Sequence, residues 1–521
     1  MNKSRLICLM TALFAGITLF SPGCSDHLTS TDIGPDELAE KMIKNPDFVA
    51  NANGENFCWH ARVGLDRFVE NYEISDKTEW LEAGIKYFDF LIGKMVKDPD
   101  GYLGWIGPYG YDERYWQDAL VGDAILLEGI LDFSVLVLED RNLSRRFGAK
   151  ATGYAKIAER DFFEKWDHRG CWIDDGSFGT YIEFDKYLKA DNLKEWLKPS
   201  GEPRAGISHP FNKQMDAAQV CLRLWRITGE KKYRDRAKKI YFTAKSHFQY
   251  FDNHYCWNYY EPLYQGDIDT ISGTTRHGVW VHPWRSGYQA SEAEKIAEAY
   301  HYGIVFDEQD IRRIINTNLK VMWNGDRVNP RFINSNGLGA DFDTSGIAEF
   351  RRNWGHSNAT CNAGELWTGL LDFDQTVRDL YELRFRNKQD NRAYDLYKKT
   401  VLSSPPGFTR KYAKGKVDVP EINFTESREL CMATVLPHSI EHNHQSIIIC
   451  KSWIPGILKI DLYSTGNTFI TNIFTGKIND GTFMVKWNGK DPGRKNIFRG
   501  DYKIRWTLGT GCREYPIVIS D

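Results

Sequence analysis

Between Thr270 and Ser291 the chain carries no Asp or Glu, yet Arg276, His277, His282 and Arg285 fall within ten residues. Trp257, Tyr259, Tyr260, Tyr264, Trp280, Trp284 and Tyr288 surround them. Cationic donors, titratable imidazoles and flat aromatic faces, in a stretch broken by Gly and Pro, suit a site for an anionic sugar chain. Suppose that the sugar is a uronic acid. Removing the proton next to its carboxylate needs that charge neutralised, a base, and an acid for the departing glycosidic oxygen. A Tyr beside Arg is a suitable acid or base because the positive charge favours its phenolate. The candidate neutralisers are Arg276 and Asn212, the candidate bases His282 and His209, and the candidate acids Tyr260 and Tyr288. His277, Arg285, Trp284, Trp257 and Tyr264 are candidate substrate contacts. The rival reading pairs the arginines with nearby acids and uses the imidazoles as helix caps.

Two other stretches have the same character. In Ser208-His-Pro-Phe-Asn-Lys-Gln214, Pro210 suits the first turn of a helix, which gathers His209, Asn212 and Gln214 at its N-terminal end. Imidazole and amide groups there could meet a carboxylate with help from the helix dipole. Asn353-Trp-Gly-His-Ser-Asn-Ala-Thr360 repeats the layout with Asn353, His356 and Asn358. Trp116, within Tyr109–Asp118, and Trp59-His60-Ala-Arg62 add rings that could stack on sugars. Packing between helices is the alternative for each.

The competing enzyme class is a glycoside hydrolase, which needs a pair of carboxyl groups. Asp118, Asp123, Asp174, Asp175 and Glu183 are its candidates, with Trp172-Ile-Asp-Asp-Gly placed between helices. With 70 acids in the chain, an adjacent pair is weak support. A non-catalytic surface protein that binds glycans through its aromatics is the third reading. No Gly-rich phosphate loop, Gly-x-Ser-x-Gly elbow or HExxH motif occurs, so no cofactor or metal is expected.

The elements that must position these residues are mostly helical. Over Glu79–Lys97, Trp80, Ala83, Gly84, Tyr87, Phe88, Leu91 and Ile92 recur at spacings of three and four, an amphipathic stripe. Comparable runs span 114–139, 144–165, 211–227, 231–249, 288–304, 307–323 and 362–386. Ser75–Trp80 and Thr228–Tyr233 echo each other as turns before a helix, which suggests helical hairpins repeated every ~40–60 residues. The long aromatic-rich connections at 98–115, 166–209, 251–287 and 324–361 favour a closed (α/α) toroid over an open solenoid. After Ser403-Ser-Pro-Pro-Gly407 the pattern changes to strand-like alternation. The expected domains are a toroid over 55–402, an extended linker over 403–435 and a small all-β sandwich over 436–521.

Two resemblances follow from these residues. Ile460-Asp-Leu-Tyr463, Thr465-Gly466, Gly481, Val485-Lys-Trp487-Asn-Gly489-Lys-Asp491 and Gly500-Asp-Tyr502 resemble the FlgD-type immunoglobulin-like domain, which implies an accessory β-sandwich. Phe211–Gln219 with Leu224–Gly229, the run Arg276-His277…His282…Tyr288, and Asn353–His356 are similar to (α/α)-toroid polysaccharide lyases acting on alginate or glucuronan. That resemblance implies catalysis by Asn, His, Tyr and Arg from one rim: Asn212, His209, Arg276, His282, and Tyr260 or Tyr288. The same fold serves several sugar chemistries, so the fold alone does not decide the reaction.

Composition sets the compartment. Lys3 and Arg5, the apolar run Leu6–Phe20 and Ser21-Pro-Gly-Cys24 read as a lipoprotein signal peptide over 1–23, with a lipid on Cys24 and a tether over 24–54. Its removal takes the formal net charge from −3 to −5, which argues against nucleic acid as a partner. The expected partners are an acidic polysaccharide and, through the lipid, a membrane. The remaining cysteines are scattered without ligand-like spacing, and Cys431 with Cys450 is the disulfide to test.

Overall fold

The computed structural model describes residues 33–45, 54–108, 115–188, 205–269, 271, 274–277, 287–332, 365–385, 391–413, 417–422, 424–425, 427, 429–441, 444–452 and 454–520. The signal peptide, Cys24 and most of the tether lie outside them. The helical part runs through α1 (Pro35–Ile43), α2 (Glu55–Arg62), α3 (Arg67–Ser75), α4 (Glu79–Ile92), α5 (Leu120–Glu139) and α6 (Arg141–Ala158). It continues through α7 (Phe211–Thr228), α8 (Lys231–Ser246), α9 (Tyr288–His301), α10 (Glu308–Asn316), α11 (Gln375–Glu382) and α12 (Asn391–Thr400).

Sequence explains the hairpins. α5 is apolar almost all round and is buried almost all round, as expected for an inner helix. At its end Asp140 caps α6, accepting from the backbone N–H groups of Asn142 at 2.7 Å and Leu143 at 2.8 Å. α7 ends on Gly229, whose φ of 75° suits the left-handed turn into α8. Helices α2, α5, α7 and α9 pack side by side in that order as an inner wall, with α6 and α8 outside. The last helix, α12, returns to α3, and Lys399 pairs with Asp76 at 3.1 Å and donates to the carbonyl of Ile74 at 3.3 Å. The hairpins therefore close into a ring. Phe88, fully buried, meets Phe133 at 5.6 Å and Tyr154 at 6.1 Å edge-on, tying three helices together.

The element boundaries differ from expectation in three places. Tyr115–Gln117 is a strand, not helix, because it pairs with Gly107–Pro108 and Tyr187–Leu188. The runs to 165 and to 323 pass into wider π turns at Glu159–Glu164 and Thr317–Met322. The run 362–386, where described, breaks into a 3₁₀ turn at Thr368–Leu370 and α11.

Among the strands between helices, β1 (Trp172–Asp175) and β2 (Phe178–Tyr181) form an antiparallel hairpin. The C-terminal strands are β3 (Leu430–Leu436), β4 (Ser439–Glu441), β5 (Ser446–Ser452), β6 (Gly456–Ser464), β7 (Phe469–Ile478), β8 (Gly481–Trp487), β9 (Gly500–Leu508) and β10 (Gly511–Ser520). β3 begins ahead of the expected boundary at 436, so part of the expected linker belongs to the β domain. One sheet has the order β3-β5-β8 and the other β4-β10-β9-β6-β7, with only β4 and β10 parallel. Both sheets contribute to one core through Leu430, Val435, Ile448, Leu458, Ile460, Trp506 and Ile517. Ile447 and Ile449 face the other way and cluster with Met432, Leu436 and Ile268 of the helical part. Strand β5 is thus covered on both faces, which is why its sequence is an unbroken Ile-Ile-Ile run. Cys450 is buried on β5, and the side chain of Cys431, its expected disulfide partner, lies outside the described ones.

Candidate functional site

The N-terminal ends of the inner helices and the loops above them make one rim of the ring. The β1–β2 hairpin runs directly into it. Beyond Tyr181, the backbone of Glu183 donates to Ile207 at 2.7 Å, Gly206 donates to Glu183 at 2.8 Å, and His209 donates to Tyr181 at 3.1 Å. This ladder lays Glu183 beside His209. The segment is then locked to α7 by Gln214, whose Oε1 accepts from Tyr181 N–H at 2.8 Å and whose amide donates to Thr180 Oγ1 at 2.6 Å.

His209 Nδ1 lies 3.2 Å from Glu183 Oε2. The other oxygen, Oε1, accepts from Gln117 Nε2 and Lys186 Nζ, both at 2.9 Å. Burial opposes ionisation of Glu183, but the charges of Lys186, His209 and Lys213 outweigh it and hold the carboxyl at about 2. Burial pushes His209 down to about 4, against the opposing pull of Glu183. At neutral pH the pair is therefore a carboxylate and a neutral imidazole. Lys186 is the cation that keeps Glu183 ionised, and Nδ1 carries the imidazole proton toward it. That leaves Nε2 as the basic lone pair, buried and with no hydrogen-bond partner among the described residues. Asn212, in the first turn of α7, has its Oδ1 buried in the same state. Next to it Lys213 donates to Glu55 on α2 at 3.1 Å, and Trp59 donates to the same oxygen at 3.3 Å.

The other sequence candidates occupy different settings. Arg276 reaches three main-chain carbonyls, those of Ala205 at 2.9 Å, Gly266 at 3.1 Å and Gly206 at 3.2 Å. Its guanidinium thereby fastens two loops under the rim. His277 stacks on Tyr260 at 3.8 Å and 4°, with Nε2 3.5 Å from Asp267. The Tyr260 hydroxyl donates to Ser208 and that of Tyr264 to Gly206, both to backbone carbonyls. Tyr288 stacks on Tyr259 at 5.0 Å. Trp257 is fully buried and donates to Glu292 at 2.6 Å. Trp116 packs with Ile106, Tyr187 and Phe184. His282, Trp284, Arg285, Asn353 and His356 lie outside the described residues. The structure thus brings His209 and Asn212 together and keeps Trp257 in the core.

The proposed hydrolase carboxylates are engaged elsewhere. Asp174 takes Lys239 at 2.5 Å on the surface, and Asp175 accepts from the backbone of His438 and Ser439 in the β domain. Asp118 and Asp123 share buried Lys165, at 2.8 Å and 2.7 Å. Both lie at the start of α5, closed around that lysine, whereas Glu183 is the member of the set placed beside His209.

Inside the ring, Arg62 on α2 feels the charges of Glu128 on α5, Asp216 on α7, Glu294 on α9 and the nearby Asp66. Arg223 on α7 donates to Asp132 at 2.9 Å and faces Glu298 at 3.0 Å, while Lys295 pairs with Asp216. The carboxyls outnumber the cations. Asp66 and Glu294 are open to water, yet enclosure by protein raises both, Asp66 to about 7. These groups form an acidic well within the ring, solvent-exposed at Asp66 and Glu294. Its signal was present in the sequence: Glu128 with Asp132, and Glu294 with Glu298, are acids four apart on helices with otherwise apolar inner faces.

No protein-family model matches the chain, and no curated protein does. Solved structures give distant likenesses. An inactive variant of an α-1,6-mannanase of Salegentibacter sp., in complex with α-1,6-mannotriose, is 15% identical over 51% of this chain and 65% of its own, with a TM-score of 0.26. A D-mannose isomerase is 12% identical over 69% and 82%, with a TM-score of 0.34. A family 76 α-mannanase of Bacteroides thetaiotaomicron is 10% identical over 68% and 78%, with a TM-score of 0.32. The chain spans 65% of the length of the first of these. Likenesses this distant carry no argument about fold or chemistry.

Proposed function

We propose that the chain is a carbohydrate-active enzyme whose rim removes a proton from a sugar carbon, and specifically a lyase that cleaves a uronic-acid-containing polysaccharide by β-elimination. The His209–Glu183 pair carries this reading. A neutral imidazole, turned by a carboxylate so that its second nitrogen is a bare acceptor, is a general base awaiting a proton. Asn212 stands in the first turn of the helix that follows His209, where an amide can meet the substrate's carboxylate. A glycoside hydrolase instead needs one carboxyl kept protonated opposite one kept ionised. Beside His209, Glu183 is held ionised by Lys186, and Lys213 donates to Glu55.

His282, with Tyr288 as acid, completes the proposed machinery, and Arg285, Trp284, Asn353 and His356 the proposed contacts. We further propose export with a lipid on Cys24, which would set the enzyme on a membrane facing its polymer. The test is incubation of the purified chain with alginate, glucuronan, pectin, heparinoids and, as a neutral polymer, α-mannan. Ultraviolet absorbance of an unsaturated uronate, lost in His209→Ala, supports elimination. New reducing ends without that absorbance mean hydrolysis, and binding with neither means a glycan-binding protein; either result overturns the lyase reading.

A further inference from the structure

The seam between the ring and the β-sandwich lies directly behind the His209–Glu183 pair, and one residue of the sandwich touches both routes into it. Tyr515 on β10 is fully buried. Its hydroxyl is 3.0 Å from His438 Nδ1 and 3.3 Å from His247 Nε2, and it accepts from Ser246 Oγ at 3.1 Å. His438 stacks on Phe178 of β2 at 4.1 Å, and its Nε2 donates to the carbonyl of Leu263 at 3.2 Å. That donation fixes the tautomer, so Nδ1 is the acceptor for the Tyr515 O–H. His247, at the end of α8, packs against Phe211 at 5.6 Å.

Both rings lead to the pair. Phe178 sits on the strand that continues through Tyr181 to Glu183, and the same hairpin is pinned by Asp175 to the backbone of Ser439 at 2.8 Å. Phe211 opens α7, immediately after His209 and Pro210. The loop that accepts from His438 at Leu263 is held to Ser208 through Asp267, which accepts from Leu263 N–H and from the Ser208 hydroxyl, both at 2.8 Å. The seam thus reaches the rim through two buried ring contacts and through the hydrogen bonds of Asp175 and Asp267.

We propose that Tyr515 is a positioning residue for the rim: it sets the spacing between Glu183 and His209 by holding His438 behind one and His247 behind the other. On this view the sandwich is part of the enzyme's framework rather than an appended module. The proposal takes the rim pair as the working site and so rests on the functional reading above. Tyr515→Phe keeps the ring stacking and removes only the hydroxyl that links the two imidazoles.

Hydrogen exchange of the full chain is the first readout, because it needs no substrate. The amides of Glu183, Gly206 and His209, which form the rim ladder, are expected to exchange faster in Tyr515→Phe than in the wild type. Unchanged exchange at those amides overturns the proposal. On whichever polymer the wild type cleaves, turnover is expected to fall about tenfold with little change in KM, as for a small misplacement of a reacting group. Equal turnover, or a change in KM alone, also overturns it. If the wild type cleaves nothing, the functional reading has failed while the exchange result still decides the coupling. Ser246→Ala, which removes a single donor to Tyr515, gives the same pattern in weaker form if Tyr515→Phe does not fold.

Discussion

The Nδ1 of His209 faces Oε2 of Glu183 at 3.2 Å while Nε2 of the same ring has no partner among the described residues. The two nitrogens are thus made unequal by one carboxylate, and the consequence is directional. A base works only when neutral, so kcat/KM should fall as pH drops through the His209 value of about 4. Glu183→Gln removes the anion that supports protonation, which moves this acid limb to lower pH. It also loosens the ring, and turnover should fall on the order of a hundredfold, with His209→Ala falling further. A pH profile of each variant checks both effects. An unmoved limb in Glu183→Gln means that some other group is the base.

Arg276 was read from sequence as a carboxylate neutraliser, and its three carbonyl partners give it a second, separable role. Losing charged donors to the carbonyls of Ala205, Gly206 and Gly266 should cost about 1–3 kcal/mol. Arg276→Ala is therefore expected to lower Tm and to open the 205–206 region to protease. Saturating substrate should leave turnover largely intact if the clamp is the whole role. Thermal melts and limited proteolysis, set beside kinetics, separate clamp from neutraliser.

What the sequence could and could not tell follows from which forces are local. The α4 stripe, the α7 start at Pro210 and the change to strands after 403 were legible because periodicity and turn residues act over a few positions. Tyr115–Gln117 was misread because its pairing with Tyr187–Leu188 is set by chain far away. His209 and Asn212 stood out by residue type and helix position. Glu183 stood out only as one acid among 70, since its role comes from a ladder with 206–209 that leaves no local pattern. The density of aromatics around Tyr255–Tyr264 was noticed, but Trp257 and Tyr260 face inward, and burial is decided by tertiary packing.

The acidic well makes the ring's stability depend on pH in a defined sense. Enclosure raises Asp66 and Glu298 to about 7, and the well's Asp132, Asp216 and Glu294 are raised too. A carboxyl raised on folding holds its proton where the unfolded chain has lost it, so stability falls as pH rises toward the folded value. His209 and His438 are depressed to about 4 and 3, which acts in the opposite sense, but only below their unfolded value of 6.5. Between about pH 6.5 and 8 the carboxyl effect is unopposed. Tm should therefore decline across that interval. Because Asp66 is open to water in the well, Asp66→Asn or Glu298→Gln should restore only about 1 kcal/mol each at the upper end. Melts at both ends of the interval check this, and a flat wild-type profile contradicts it.

Gly369 shows how tightly the ring closes on itself. It lies in the 3₁₀ turn Thr368–Leu370 against α9, and a Cβ built there would overlap the Cα of Glu294. Backbone cannot rotate away as a side chain can, so relief requires the turn and α9 to part. α9 also carries Lys295, paired with Asp216 of α7, and Glu298, facing Arg223. Parting them would loosen the next helix pair in the inner wall as well. Gly369→Ala is expected to destabilise by about 2–3 kcal/mol, at the upper end of overpacking costs. Gly153→Ala, where a Cβ meets nothing within 4 Å on α6, serves as the control. There the higher helix propensity of Ala should raise stability by about 0.5–1 kcal/mol. Urea unfolding of the two variants beside the wild type should move the midpoints in opposite directions, and a Gly369→Ala midpoint at or above wild type would refute the close packing of this turn on α9.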